Sequence, residues 1–196
     1  MSTARDLILE IKRRLGDVNT PIPDEADVFA YLNGALAAIW NYGARLNSPV
    51  LYVSKLLSSA SGSVTVAGGI QRIKSVRDHE TGTLIPSVPL DYAVAMSSSA
   101  GGGRVYVRKP TGIDVYPLNM AITVDAVYMP FCARLAHRED ESPFPAELDN
   151  DVIALAAAMI KGAEPDMVMA KRQYGNALSR YFRPGGPDTV VCRGPW

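Results

Sequence analysis

Ile113-Asp-Val-Tyr-Pro and Ala121-Ile-Thr-Val-Asp-Ala-Val-Tyr-Met-Pro alternate apolar with polar residues, which is the pattern of half-buried β-strands. A charged loop, His137-Arg-Glu-Asp-Glu-Ser, comes next, followed by Pro143-Phe-Pro-Ala-Glu-Leu-Asp. Apolar residues then recur at helical spacing up to Leu155. This stretch therefore predicts a β region followed by helices, and the order of these parts is more informative than any catalytic motif in the chain.

Two helices are predicted before the β region. The first spans about Thr3 to Leu15, because Thr3 can cap it and apolar residues form one stripe. The second begins after Asp24, a good N-cap residue, and its apolar residues recur every three or four positions up to about Leu46. Gly34 and the alanines around it make one side of this helix thin, and packing within one subunit is the expected use of that side.

Residues from about Val50 to Met129 are predicted to form five or six short strands. Ser63-Val-Thr-Val alternates and is followed by the turn signal Gly68-Gly69. Leu90-Asp-Tyr-Ala-Val-Ala-Met interrupts the strands and is expected to form a short helical turn. This spacing of strands and turns indicates a compact antiparallel sheet or a small sandwich.

Two helices are predicted after the β region, one from Pro145 and one from about Pro165 to Phe182. Arg183-Pro-Gly-Gly-Pro cannot extend a helix and ends all regular structure. The predicted fold class is therefore α+β. It is a helical bundle of two N-terminal and two C-terminal helices, with the β-sheet or sandwich inserted and an extended C-terminal tail.

The predicted organisation is one domain followed by a tail, since 196 residues with 47% hydrophobic side chains can bury a single core. The domain covers residues 1–182, with helices in 3–47 and 145–182 and the β region in 50–130. Residues 183–196 form the tail, which is expected to dock on another protein.

Charge and cysteine content limit the functional classes. The 20 basic and 20 acidic residues cancel, so no global field draws the protein onto nucleic acid or an anionic membrane. Cys132 and Cys192 fit no metal-binding or redox spacing and suit a protein made in a reducing cytoplasm. No apolar segment approaches the roughly 20 residues that a membrane helix requires, so the sequence predicts a soluble protein that is not exported.

No catalytic residue, cofactor or metal site is predicted, and the protein is expected not to be an enzyme. His79 and His137 fall in polar loops, and Gly62-Ser-Val-Thr-Val lacks the second glycine of a nucleophile elbow. Gly101-Gly-Gly-Arg lacks the lysine and helix of a phosphate-binding loop, and Arg138-Glu-Asp-Glu lacks the ligand spacing of a calcium loop. Triads are assembled in space, so a hydrolase with scattered catalytic residues stays open as an alternative, as does a β-rich interaction module.

Four pieces of the chain together resemble the head-to-tail adaptor (connector) proteins of tailed bacteriophages, and the resemblance covers most of residues 3 to 182. The pieces are a helix, a strand that enters the sheet, a pair of short strands that ends in an aromatic residue and proline, and the segment that connects the last strand to the C-terminal helices. In this sequence they are Val28-Phe-Ala-Tyr-Leu-Asn-Gly-Ala-Leu-Ala-Ala-Ile-Trp, Ile70-Gln-Arg-Ile-Lys-Ser-Val-Arg-Asp, Val105-Tyr-Val through Val115-Tyr-Pro, and Val127-Tyr-Met-Pro through Phe144-Pro-Ala-Glu-Leu-Asp.

The resemblance implies a structural virion protein that joins the portal to the tail. Its copies would form a twelvefold ring that matches the portal, with the helices walling the channel through which the genome leaves. The implied partners are the portal protein, tail proteins of a nozzle, tube or fibre, and other copies of the chain. Genomic DNA would pass without sequence-specific binding, and no membrane is involved. The implied location is the head-to-tail interface of the virion, assembled in the cytoplasm of a bacterial host.

The resemblance also implies that the C-terminal segment of this chain, residues 183–196, leaves the rest of the subunit and lies against the portal. The residues support docking independently, because Thr189-Val-Val-Cys and Trp196 are too apolar for a merely solvated end. The predicted contact residues are Arg183, Val190, Val191 and Trp196, on the portal or on a neighbouring adaptor. Folding back onto its own subunit is the alternative.

Two loops of the β region are expected to face the outside or the tail end of the particle. They run from Ser97 to Gly103 and from Asp78 to Gly82, and their candidate contact residues are Asp78, Ser98 and Gly102. Because glycine and serine have high chain entropy and little apolar area, both loops are expected to become ordered only beside a partner.

Overall fold

The structure is a computed structural model that describes residues 2–16, 24–97, 103–162, 178 and 181–182. It is α+β, which confirms the predicted fold class. The described chain divides into two units, a helical unit made of residues up to Pro49 and from Cys132 onward, and a β unit, Val50–Phe131. The helices are α1 (Ala4–Gly16), α2 (Glu25–Arg45), α3 (Leu90–Ser97) and α4 (Asp149–Ile160), with single 3₁₀ turns at Pro49–Leu51 and Ala146–Leu148.

The first two helices begin where their capping residues predict. The Thr3 hydroxyl accepts a hydrogen bond from the backbone N–H of Asp6 (3.3 Å), and the Asp6 carboxylate accepts from the Thr3 N–H (3.2 Å). This is a capping box with aspartate in the reciprocal position. The Thr3 hydroxyl also donates to the Asp6 carboxylate at 2.7 Å, and this bond lowers the pKa of Asp6. At α2 the Asp24 carboxylate accepts from the N–H of Asp27 at 3.0 Å.

The helical unit is built around α4, which is buried continuously from Asp151 to Ala157. It packs on the thin side of α2, where the methyl carbon of Met159 lies 2.8 Å from the position that a Cβ on Gly34 would occupy. The thin side therefore serves packing within the subunit, as expected. Phe144 is fully buried beside this pair, with its ring 6.1 Å from the rings of both Trp40 and Phe182.

The segment that re-enters the helical unit is fastened to α2 by Asn33. The Asn33 side-chain oxygen accepts from the N–H of Leu135, and its amide nitrogen donates to the Leu135 carbonyl, both at 2.9 Å. A second bond from the same nitrogen reaches the Phe29 carbonyl at 3.1 Å. Further along the segment, Arg138 forms an ion pair with Glu25 at the start of α2. One side chain thus satisfies both backbone groups of Leu135.

The β unit consists of two antiparallel sheets of three strands each, in the orders β1-β6-β3 and β2-β5-β4. Val64, Ile113 and Val115 of one sheet share a buried core with Val76 and Val124 of the other. The inserted region is therefore the small sandwich that the strand spacing allowed. Its strands are β1 (Val53–Ser59), β2 (Ser63–Thr65), β3 (Arg72–Asp78), β4 (Val105–Lys109), β5 (Gly112–Tyr116) and β6 (Ile122–Met129).

Residues 83–88 run across the edges of both sheets. The Ile85 N–H donates to the Val76 carbonyl (2.9 Å) on β3, and the Val88 N–H donates to the Tyr106 carbonyl (3.0 Å) on β4. The Tyr106 N–H in turn donates to the Pro86 carbonyl at 2.9 Å. One connecting segment therefore covers an edge strand in each sheet, and the remaining edge strands are β1 and β2.

The structure refines the predicted elements at several places. The expected helical turn at Leu90 is an α-helix of 8 residues, and α4 follows a 3₁₀ turn rather than beginning at Pro145. Most of the second C-terminal helix predicted from Pro165 to Phe182 lies outside the described residues, as does the tail 183–196. The division into one domain of residues 1–182 and a docking tail therefore stays a prediction.

Candidate interaction surface

The turn after β3 is organised by Asp78. Its side chain is only 4% exposed, and one carboxylate oxygen accepts from the N–H groups of Glu80 and Thr81, each at 3.0 Å. The other oxygen forms an ion pair with Arg104, which precedes β4. A buried carboxylate needs such compensation, because an unpaired charge in a protein interior is costly.

The buried position of Asp78 changes how its loop can meet a partner. The turn is closed by bonds within the chain, including Asp78 N–H to the Thr83 carbonyl and Gly82 N–H to the Asp78 carbonyl, both 2.9 Å. The expectation that residues 78–82 become ordered only beside a partner is therefore wrong, because the Asp78 carboxylate already holds the turn. Glu80 and Thr81 are the exposed side chains that the turn offers.

Helix α3 lies on the β unit through one narrow side. Ala93 is fully buried against Val105 and Tyr116, and Met96 packs against the same cluster. Leu90 and Val94, four residues apart, share one flank of the helix, while Tyr92 lies on the other. All three are more than half exposed, at 53%, 54% and 55% respectively. The helix therefore has more apolar surface than its own unit covers.

A groove of about 670 Å³ runs between the Asp78 turn and the Tyr92 flank of α3. Its apolar lining includes Leu84, which is 54% exposed. The polar lining comes from the turn and from Arg104. Because Asp78 and Arg104 neutralise each other, the exposed carboxylate of Glu80 gives the groove a net negative character. A groove of this size and character suits apolar side chains of a protein partner that carries a donor or a cation. The α3 surface is defined here as Leu84, Leu90, Tyr92 and Val94.

The titratable side chains of the described residues do not assemble a catalytic centre. The His79 ring nitrogen Nδ1 lies 3.0 Å from an Asp125 carboxylate oxygen, and both side chains are about half exposed. No described side chain bonds the other ring nitrogen of His79, where the nucleophile of a hydrolase triad would lie. Burial raises the pKa of the Cys132 thiol to about 12, which keeps it protonated and unreactive at neutral pH.

The described part of the chain shows no candidate metal site and no candidate membrane span. It contains no group of three or more histidine, cysteine, aspartate or glutamate side chains arranged to hold a metal ion. None of its helices is both long and apolar enough to span a bilayer.

The predicted contact residues fall into two groups. Asp78 lies inside the turn beside the groove, whereas Ser98 and Gly102 of the second loop lie outside the described residues, as do Arg183, Val190, Val191 and Trp196 of the tail. The α3 surface was not predicted. Its signal was the run Leu90-Asp-Tyr-Ala-Val-Ala-Met, which has apolar residues on more sides than one short helix can bury.

The chain matches no protein-family model and no curated protein sequence.

Proposed function

We propose that this chain is a structural virion protein, a subunit of the head-to-tail adaptor ring that joins the portal to the tail of a bacteriophage. The observation that carries the proposal is the α3 surface. Exposed apolar area of this kind marks a site of protein interaction, because leaving it in water costs free energy. An adaptor requires such a surface, since it must bind a protein on each side.

The order of parts supports the partner class. The chain leaves the helical unit after Pro49, forms the sandwich, and re-enters the helical unit at Cys132. Asn33 belongs to the helical piece, Val28 to Trp40, whose sequence resembles the adaptor family, and it bonds the re-entering segment through Leu135. A residue that contributes to the resemblance thus bonds α2 to the segment that follows the β unit.

Charge balance suits a channel protein. Equal numbers of acidic and basic residues give the chain a formal net charge of zero at pH 7. DNA that slides past such a wall breaks few phosphate contacts, and each such contact would slow its passage. In this proposal the helical unit forms the wall and the β unit meets the tail proteins through the α3 surface.

A β-rich interaction module is the second candidate, because the same α3 surface would serve it. The two candidates differ in their partners: an adaptor binds the portal ring of its own phage, and a host-encoded module does not. Co-sedimentation of the purified chain with the purified portal protein distinguishes them. The proposal predicts a stable complex with as many copies of this chain as of portal, and a chain that stays unbound at micromolar concentration would contradict it.

A further inference from the structure

Strand β1 pairs on one side only within the part of the chain that the structure describes. Its 7 residues, Val53–Ser59, pair in register with β6 along their whole length, from Val53 opposite Tyr128 to Ser59 opposite Ile122. On the other side of β1, no described residue forms a backbone hydrogen bond with it. The other edge of this sheet is covered by residues 83–85. A long uncovered edge presents a row of N–H and C=O groups to which another strand can pair.

The side chains of β1 restrict which strand can pair there. Lys55 lies opposite the buried Ala126, so it is on the core-facing side of the sheet, yet it is exposed at the edge. An inward-facing charge on an edge strand discourages pairing between two copies of the same edge. On the opposite face Leu56 is 55% exposed. The edge therefore favours a segment that brings a negative charge to Lys55 and an apolar side chain to Leu56.

The sequence after Phe182 contains such a segment. Thr189, Val190 and Val191 are the only consecutive β-branched residues outside the described ranges, and Asp188 directly precedes them. β-branched residues favour strands, and opposite charges on neighbouring strands stabilise their pairing. Because the segment is shorter than β1, a parallel strand with Asp188 beside Lys55 can pair along its full length, with Thr189 facing Leu56 and Val191 diagonal to it.

We propose that residues 189–192 of a neighbouring copy of this chain add to this edge of β1 as a fourth strand, with Asp188 beside Lys55. This inference rests on the proposed ring, since a ring holds a neighbour's tail at high effective concentration beside each edge. The 14 residues 183–196 can extend at most roughly 46 to 50 Å. Pro184 and Pro187 stiffen the segment and so favour reaching outward over folding back.

Reversing the charges tests the contact between Lys55 and Asp188. Lys55→Glu alone and Asp188→Lys alone are each expected to weaken ring assembly at least about tenfold, because like charges then meet at the edge. The double variant Lys55→Glu/Asp188→Lys is expected to restore assembly to within about threefold of the original chain. Mass photometry over a concentration series measures the assembly. A double variant no better than the single variants would overturn the pairing.

Disulfide trapping tests which chain supplies the strand. Cys192 comes four residues after Asp188 and so lies on the same side of the sheet as Lys55, and cysteine is introduced singly on that side of β1, at Leu57 or Ser59. Cys132 is replaced by alanine in every variant, so that Cys192 and the introduced cysteine are the two thiols of the chain. Mild oxidation of assembled rings, or of the portal complex where rings need the portal, is expected to give disulfide-linked dimers and longer ladders for at least one position. Thr65→Cys on β2, the other edge strand, is the matched control and is expected to remain monomeric on denaturing gels.

The outcomes separate this inference from the proposed function. Rings that assemble but give no cross-link at any β1 position, or cross-link only at Thr65→Cys, overturn the inference and leave the adaptor function standing. Cross-links that only circularise single chains show that the tail folds back onto its own subunit, which also overturns it. A chain that forms no ring, alone or on the portal, contradicts the proposed function itself.

Discussion

The helical unit covers its own apolar residues, and the β unit does not. Among the described residues, the only large apolar side chain of the helical unit that is exposed is Leu9. The β unit exposes the others, which are Leu56, Leu84, Leu90, Tyr92, Val94, Leu118, Met120 and Phe131. The difference indicates that the helical unit supplies stability within the subunit, while the β unit carries the exposed apolar area that the proposed contacts with other chains would use.

The comparison predicts the largest effect for Phe144 in the helical unit. Phe144→Ala should lower the free energy of unfolding by about 3–5 kcal/mol, because it removes a fully buried ring from between Trp40 and Phe182. The matched control is Phe131→Ala in the β unit, where 46% of the residue is exposed. It should cost less than about 1 kcal/mol in urea unfolding. If the two variants lose equal amounts of unfolding free energy, the difference between the helical unit and the β unit is contradicted.

A smaller loss of stability is expected for Asn33, which bonds α2 to the segment that follows the β unit. Asn33→Leu should cost about 1–3 kcal/mol, since it leaves the N–H and C=O of Leu135 without their partner. Asn150→Ala, at an exposed position of α4, is the control and should change the free energy of unfolding by no more than about 0.5 kcal/mol. If Asn33→Leu is neutral in urea unfolding, the re-entering segment is held by something other than this side chain.

Substitutions in the α3 surface should weaken partner binding and leave folding intact. Tyr92→Asp and Leu84→Asp are each expected to weaken tail-protein attachment at least about tenfold, because a charge replaces apolar contact. Met120→Asp is the control, an exposed apolar position of the same unit that does not line the groove. Circular dichroism melting should be unchanged for all three variants. If the tail proteins of the particle still attach to both groove variants, they bind at another surface of this chain.

The smallest predicted effect is a pH dependence from Asp151. Burial raises the pKa of this carboxyl above its ordinary value of 3.8, and one of its oxygens has no partner in the structure. A raised folded-state pKa means that stability is fully present below about pH 3.8 and is lost as the pH rises through the folded-state pKa. Asp151→Asn should therefore raise the thermal midpoint at pH 7 and have little effect at pH 3. Glu147→Gln, at an exposed position, serves as the control.

The sequence predicted the parts of the fold that depend on local signals. The starts of α1 and α2 follow from Thr3 and Asp24, because capping acts within one turn of helix. The strand order could not be predicted, since β1 pairs with β6 across more than sixty residues of chain and alternation alone does not name the partner.

The candidate interaction surface was predicted less well, because it too depends on residues that are far apart in the sequence. The tail residues Val190 and Trp196 were found from composition alone. The groove exists because the Asp78 turn and α3 are neighbours in space, and β1 is left as an edge because residues 83–88 cover β3 and β4 instead. Neither feature has a signal at one position of the sequence.

Electron microscopy of the purified chain, alone and bound to its portal protein, tests the central claim most directly. The account predicts a closed ring of twelvefold symmetry coaxial with the portal. The helical unit should line its channel, and the β unit should carry the α3 surface on the side that faces the tail. Particles without rotational symmetry in both preparations would contradict it.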